Sequence, residues 1–348
     1  FFFFGMYDRR KIVYKEGKLI DLFTKEVIKD FKVKHELIVP SEYAVLIIDD
    51  KGKLIKIFEN EKGIFIDGED RGREILATSD SHFNLSSFAG FKYQRMLKVL
   101  LQEILFNFDN KVPKPNILAY QEGGGWYRDT MLVTMVLEKT KNTHLLEPWV
   151  DSLSDIYDHE RFKMSGNRDD YKEADNPGEL LYILGAIKNN RSDLIKMIMD
   201  EVSSKSVDGV FSGIVDGSIM SYYPTVLLIN GAKKAKVDLP VNLKVPNPDP
   251  YTPLTWWAQD IPRINTKANV DHPKFPYLSW ASAHYLAGIK ATPVYLLDWT
   301  YPLSYEAHIN TATAKKQKFI SKRYSKKNGA QFSHAWCAAE MFLLLSEL

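Results

Sequence analysis

The hydrophobic period of this chain changes near residue 80, and that change limits the fold more than any other feature. From Lys11 to about Thr78 the apolar residues come in short, strand-like runs. "KIVYKEGKLIDLF" gives two runs around Glu16-Gly17, and "YAVLIIDDKGKLIKIF" gives two more around Asp50-Lys51-Gly52. Glycine at a tight turn tolerates the positive φ that hairpin geometry requires, so both are hairpin signals. "GIFIDGED" adds a fifth run, and Pro40 interrupts the series. Residues 11–80 are therefore expected to form a small β-subdomain.

After Ser81 the apolar residues recur at helical spacing. Phe91, Leu97, Leu100, Leu101, Ile104, Leu105 and Phe108 fall on one stripe, the pattern of an amphipathic helix. Further helices are expected from about Asp129, through Leu145, Trp149 and Leu153, and over 178–187, 194–202, 225–230, 277–286 and 334–348. Asn176-Pro177 reads as a helix cap followed by proline at the first helical position, where its missing N–H costs nothing. Helix after helix with almost no strand signal between them implies an all-α array, and no fixed-period repeat suggests a solenoid. The expected architecture is mainly α: an α/α toroid of helical hairpins over 81–348, with an open bundle as the alternative. The proline-rich stretch 239–262 is expected to cross one face as an ordered loop.

The chain opens with "FFFFGM". Four adjacent phenylalanines are a liability on a free terminus. They suit the end of a signal or membrane-anchor segment, with a docked terminal strand as the competing reading. Residues 1–10 are thus expected to be an anchor remnant, giving membrane attachment and a place in the cell envelope or outside the cell. No later stretch approaches 18 unbroken apolar residues, the length a spanning helix needs. The 46 basic and 44 acidic residues nearly cancel, so no long-range field calls for nucleic acid. Cys337 is the only cysteine, which rules out an intrachain disulfide or a thiolate metal cluster; it is expected to be a buried small apolar residue.

The stretch "YQEGGGWYRDTMLVTMVLEK" carries the strongest chemical signal. Gly123 to Gly125 and Trp126 deliver the chain to Arg128 and Asp129, and an apolar helix begins at once. The first N–H groups of a helix lack partners, so a carboxylate there is stabilised as the anion. A guanidinium beside it offers a planar fork of donors. Together they can grip neighbouring hydroxyls of a sugar, while Trp126 stacks on the apolar face of the ring. The plainer reading makes Asp129 a helix-start charge, Arg128 its surface partner and Trp126 core.

"GWYRDTMLVTMVL" resembles the W-x-R-D segment of the glucoamylase-type members of the six-hairpin glycosidase superfamily. The resemblance implies an (α/α)6 barrel in which this pair begins an inner helix and binds sugar hydroxyls. Trp126, Arg128 and Asp129 then become substrate-binding residues rather than proton-transfer groups; Tyr127 beside them and Glu122 ahead of the glycines are also expected to meet substrate, Glu122 as a further candidate carboxyl. It also implies an acid-bearing loop near "YKEADNPGELLY", although the family's Trp-Glu-Glu pattern is absent there.

Glycoside hydrolysis needs two carboxyls flanking the scissile bond, about 5 Å apart for retention or roughly 6.5–9.5 Å for inversion. Glu173, Asp175 and Glu179 lie where a helix begins, and one of them is the expected acid; a helix-entry hydrogen-bonder is the competing role for Asp175. "LLDWTYPLSYEAHINTATA" brings Trp299, Tyr301, Glu306 and His308 together late in the chain. Its position resembles that of the family's late catalytic base, so Glu306 is the expected base or nucleophile, with Trp299, Tyr301, His284 and His308 lining the substrate.

No histidine spacing, nucleophile elbow, P-loop or dinucleotide turn is present, so neither a metal nor another cofactor is expected. The run "KKQKFISKRYSKK", residues 315–327, holds seven cations and reads as a solvated loop, or more sharply as a binder of phosphorylated or anionic polysaccharide. The sequence thus points to a glycoside hydrolase acting on an oligo- or polysaccharide. The alternatives are a sugar epimerase or polysaccharide lyase using His284, His308 or Tyr301, and a non-catalytic glycan-binding protein of the cell envelope.

Overall fold

The structure is a computed structural model. It describes residues 1–6, 10–21, 26–39, 42–70, 72–78, 82–106, 108–109, 112–113, 127–157, 172–215, 218–247 and 335–346. These fall into two compact units, one ending at Phe106 and the other beginning at Asn107.

The first unit is built from two antiparallel sheets and a helix. Strands β1 (Phe2–Gly5), β2 (Arg10–Lys15), β3 (Lys18–Asp21) and β4 (Val27–Asp30) pair in chain order as a four-stranded sheet. Strands β5 (Val33–Val39), β6 (Ala44–Asp49), β7 (Leu54–Asn60), β8 (Gly63–Gly68) and β9 (Gly72–Thr78) do the same as a five-stranded meander. Side chains alternate across a strand, so each sheet contributes one apolar face. Phe1, Phe3, Ile12, Tyr14 and Leu19 from one sheet meet Val45, Ile47, Ile57, Ile64 and Ile66 from the other in a single core.

Helix α1 (Gln94–Phe106) belongs to this unit and is buried almost throughout. It carries polar groups into the interior, and each finds a partner, as buried charge requires. Lys11 pairs with Glu103, Lys98 pairs with Glu59, and the Arg95 Nη2 donates to the Phe2 carbonyl at 2.6 Å.

Of the four phenylalanines suggested as an anchor remnant, Phe2, Phe3 and Phe4 are residues of β1 and Phe1 directly precedes it. Phe1 and Phe3 fill the core between the sheets, while the rings of Phe2 and Phe4 lie under the Lys11 ammonium at 5.2 and 5.5 Å. Both faces of β1 are covered, and all four side chains are buried. No helix among the described residues is long and apolar enough to cross a membrane.

The second unit contains α2 (Tyr127–Thr140), α3 (Glu147–Asp151), α4 (Asn176–Ile187), α5 (Ser192–Lys205), α6 (Tyr222–Ala235) and α7 (Ala335–Leu345). Short hairpins interrupt the helices. β10 (Phe108–Asp109) pairs with β11 (Val112–Pro113), β12 (Ser206–Val207) with β13 (Val210–Phe211), and β14 (Gly213–Val215) with β15 (Ser218–Met220). Helix α4 is the centre of this unit, packed between α2 and α6, and α2 also packs on α7. Its sequence "NPGELLYILGAI" is buried on nearly every side, as an apolar-all-round helix must be. Helix α5 is amphipathic instead and buries only Leu194, Ile198 and Val202, one residue per turn.

The expected mainly-α toroid with a small β-subdomain is therefore wrong. Nine strands in two antiparallel sheets lie within residues 1–78, α1 packs with them, and further strands lie between the helices of the second unit. This is an α+β chain. Apolar period predicts that a segment is helical and which face it buries, but not how successive helices are arranged. The helix expected at 277–286 and most of the loop at 239–262 lie outside the described residues, as does the side chain of Cys337.

Candidate functional site

Three helix starts of the second unit supply one polar cluster. Arg128 stands in the first turn of α2, and its guanidinium reaches back to the residues that lead into α4. The Nε donates to Asp175 Oδ2 at 2.9 Å, and Nη2 donates both to the same oxygen at 2.6 Å and to Glu173 Oε2 at 2.7 Å. Asp175 is the residue that caps α4, yet its side chain makes no capping hydrogen bond. The carboxylate turns to the arginine instead, so the helix-entry role considered for Asp175 is not the one it plays. Asn176 and Pro177 are the first two residues inside the helix, one position later than the sequence suggests.

Glu179 lies in the first turn of α4 and is fully buried. It accepts a hydrogen bond at 3.0 Å from the hydroxyl of Tyr223, which opens α6. Two ties fix the surroundings. The Ala174 N–H donates to the Ile214 carbonyl at 2.9 Å, strapping the Glu173–Asp175 segment to β14. Thr225 Oγ1 donates to the Phe211 carbonyl at 2.8 Å and accepts from the Phe211 N–H at 3.1 Å, locking α6 to β13.

Exposure sorts these groups into a rim and a wall. The side chains of Arg128 and Glu173 are 17% and 13% exposed, while that of Asp175 is fully buried. Burial alone would lower the Arg128 pKa. The carboxylates of Asp175 and Glu173 outweigh it and hold the guanidinium charged well above its ordinary range. Burial, followed by the charges of Glu179 and Asp175, pushes the Tyr223 phenol well above its ordinary value. Tyr223 is thus a permanent hydrogen-bond donor. With Nε and Nη2 committed, Nη1 is the guanidinium nitrogen without a hydrogen bond among the described residues. A rim carboxylate beside a rim donor can accept from one ligand hydroxyl and donate to the next.

Of the residues singled out from the sequence, Arg128, Glu173, Asp175 and Glu179 come together. Asp129 is half-buried in the same turn as Arg128. Tyr127 is placed in the core, its ring 5.5 Å from that of Trp149, rather than on a surface that a substrate could touch. Glu122, Trp126, His284, Trp299, Tyr301, Glu306 and His308 lie outside the described residues. Tyr223 was not expected. Its one sequence signal is Pro224 in "SYYPT", which marks a helix start without indicating what the tyrosine contacts. Among the described residues, no group of His, Cys, Asp and Glu is arranged to hold a metal ion. No protein-family model matches the chain, and no curated protein or solved structure is similar enough to it to match.

Proposed function

We propose that this protein is a carbohydrate-active enzyme, a glycoside hydrolase that works on an oligo- or polysaccharide through paired carboxylates. One observation carries the reading. Arg128 gathers Glu173 and Asp175, 45 and 47 residues further along, at the joint mouths of α2 and α4. Helix starts favour anionic side chains and fix their direction, and a hydroxyl-rich ligand needs alternating donors and acceptors held in place. The reading does not require a closed ring of hairpins, because it rests on local convergence alone.

The roles follow from exposure. Glu173, at the rim, is the general acid: it is anionic while paired with Arg128 and serves once it takes up a proton and leaves Nη2 to Asp175. Asp175 and Glu179 stand behind it as positioning residues, the first orienting Arg128 and the second held by Tyr223. Arg128 and Asp129 bind sugar hydroxyls, with Trp126 as the stacking surface. Glu306 is assigned as the opposing base. A place in the cell envelope or outside the cell fits a polymeric substrate.

The test is turnover of oligosaccharide libraries by Glu173→Gln and Glu306→Gln, read by released reducing ends. Loss of a positioned proton-transfer group costs typically about 10²–10⁴ in rate, and each amide should lose at least that while still binding sugar. Normal hydrolysis by both amides refutes the assignment. An unsaturated or epimerised product would instead favour a lyase or an epimerase. Binding that is abolished by Trp126→Ala, without any product, would leave a glycan-binding protein.

A further inference from the structure

The opposite ends of the same helices carry a second, unassigned feature. An open cavity of about 990 Å³ is lined by residues of α4 and α6, with Glu138 of α2 at one side. Lys188, Lys233, Lys234 and Lys236 all border it. Glu138 neutralises only one of them. It binds the Lys234 ammonium at 2.5 Å and accepts from the Tyr182 hydroxyl at 3.2 Å, and Lys234 lies over the Tyr182 ring at 5.3 Å. The side chains of Lys188, Lys233 and Lys236 make no ion pair or hydrogen bond among the described residues.

Two explanations internal to the fold fall short. Lysines near a helix C-terminus offset the dipole, but each dipole supplies only about half a charge. Four ammonium groups exceed the ends of three helices and one glutamate. Backbone geometry is the second point. Helices α4 and α6 end on Lys188 and Lys236 with φ of 56° and 58°. Both are closed by the same C-terminal motif: Asn189 N–H to the Leu184 carbonyl at 3.1 Å, and Val237 N–H to the Ala232 carbonyl at 3.0 Å. Left-handed positions of this kind are normally glycine. A side chain with a β-carbon is strained there, and lysine has no special fitness for it. The chain accepts that strain twice on the border of this cavity, at Lys188 and Lys236, and once away from it, at Lys141, which closes α2 with φ of 59°.

We infer that this cavity binds a multivalent oxyanion, a ligand bearing two or more phosphate or carboxylate groups, at Lys188, Lys233 and Lys236. Lys234 is withheld by Glu138 and serves to orient Tyr182. The inference does not depend on the hydrolase reading, and the two sites can fail separately.

The test is calorimetric titration of the full chain with tripolyphosphate and with short oligogalacturonate, the two arms separating phosphate from carboxylate chemistry. The variant is Lys188→Gly with Lys233→Ala and Lys236→Gly. Glycine relieves both left-handed positions, so this protein should fold at least as well as the parent. Saturable binding of one probe is expected, weakened by added salt and about tenfold or more weaker in the triple variant. That probe should also protect the three lysines from acetylation, and Glu173→Gln should bind it unchanged. No binding of either probe overturns the inference. So does equal binding by the triple variant, or a loss that instead follows Lys326→Ala with Lys327→Ala in the basic run.

Discussion

Arg128 contributes through its shape as well as its charge. One guanidinium holds two carboxylates because its nitrogens diverge in a plane, with Nε and Nη2 on Asp175 and Nη2 on Glu173. A lysine has one ammonium on a flexible stem and cannot reproduce that fork. Asp175 is fully buried, and a buried carboxylate that loses its partner bears the whole desolvation cost. Arg128→Ala should therefore destabilise the protein by about 3–5 kcal/mol, and Arg128→Lys by roughly 1–3 kcal/mol. Urea unfolding measures both, and a double-mutant cycle with Asp175→Asn should show strong coupling. Additive effects would mean the pair is not a unit. The sequence marked Arg128 and Asp129 as a pair because they are neighbours, yet successive residues on a helix do not face each other. The true partner of Arg128 lies across a loop and a helix start. Adjacency in sequence is legible to the eye; the meeting of two helix mouths depends on packing, which no local pattern encodes. Tyr127 shows the same limit, since an aromatic beside Arg128 could face ligand or core, and only its neighbour Trp149 decides.

Helices were the most legible elements, and their contacts the least. Period alone placed α1, α2, α4, α5 and α6 close to their observed positions. The strands β12 to β15 escaped because runs of two or three residues are too short to display alternation. The arrangement around α4 escaped for another reason: a helix apolar on all sides has no preferred face to read. What sets its approach to α6 is glycine. A β-carbon at Gly178 would come within 2.6 Å of the Leu227 carbonyl carbon, and one at Gly185 within 2.5 Å of the Ala235 amide nitrogen. These two glycines are seven residues apart and so share one face. The obstacle at each is backbone, which cannot swing aside. Gly185→Ala gains helix propensity of up to about 1 kcal/mol, but overpacking costs typically about 1–3 kcal/mol. The net effect should be a lower melting temperature. If alanine raises it, α4 and α6 are not in backbone contact at this point.

Each unit carries its own acid-sensitive and alkali-sensitive groups, so pH should act on the whole molecule from both sides. In the first unit the Arg73 fork holds Asp67 through Nε and Nη2, both at 2.8 Å; in the second, Arg191 holds Asp193 at 2.9 and 2.6 Å. These hydrogen bonds depress Asp67 below 3.8 and bring Asp193 down to about 2. A carboxyl with a depressed folded pKa stabilises above its unfolded value of 3.8, and loses that contribution as pH falls through the folded one. Both pairs lie at the surface, so the acid limb should be shallow. Tyrosines set the other edge. Burial, assisted by Glu36, raises Tyr14 in the first unit, and burial, assisted by Glu138, raises Tyr182 in the second. Tyr223 is raised by burial and then by Glu179 and Asp175. A group with a raised folded pKa stabilises fully below its unfolded value, here 10.0, and that stability is lost as pH climbs beyond it, when only the unfolded chain ionises. The urea midpoint should therefore fall gently below about pH 4 and fall steeply above about 10. The part of the tyrosinate absorbance that belongs to Tyr14, Tyr182 and Tyr223, read as the difference between the protein and its single Tyr→Phe variants, should rise together with unfolding, not before it. Tyr182→Phe should flatten the alkaline limb of the second unit alone. Tyrosinate traced by the Tyr223→Phe difference to Tyr223 in the folded protein near pH 10 would show that this phenol is hydrated, and the buried Tyr223–Glu179 support behind Glu173 would fall with it.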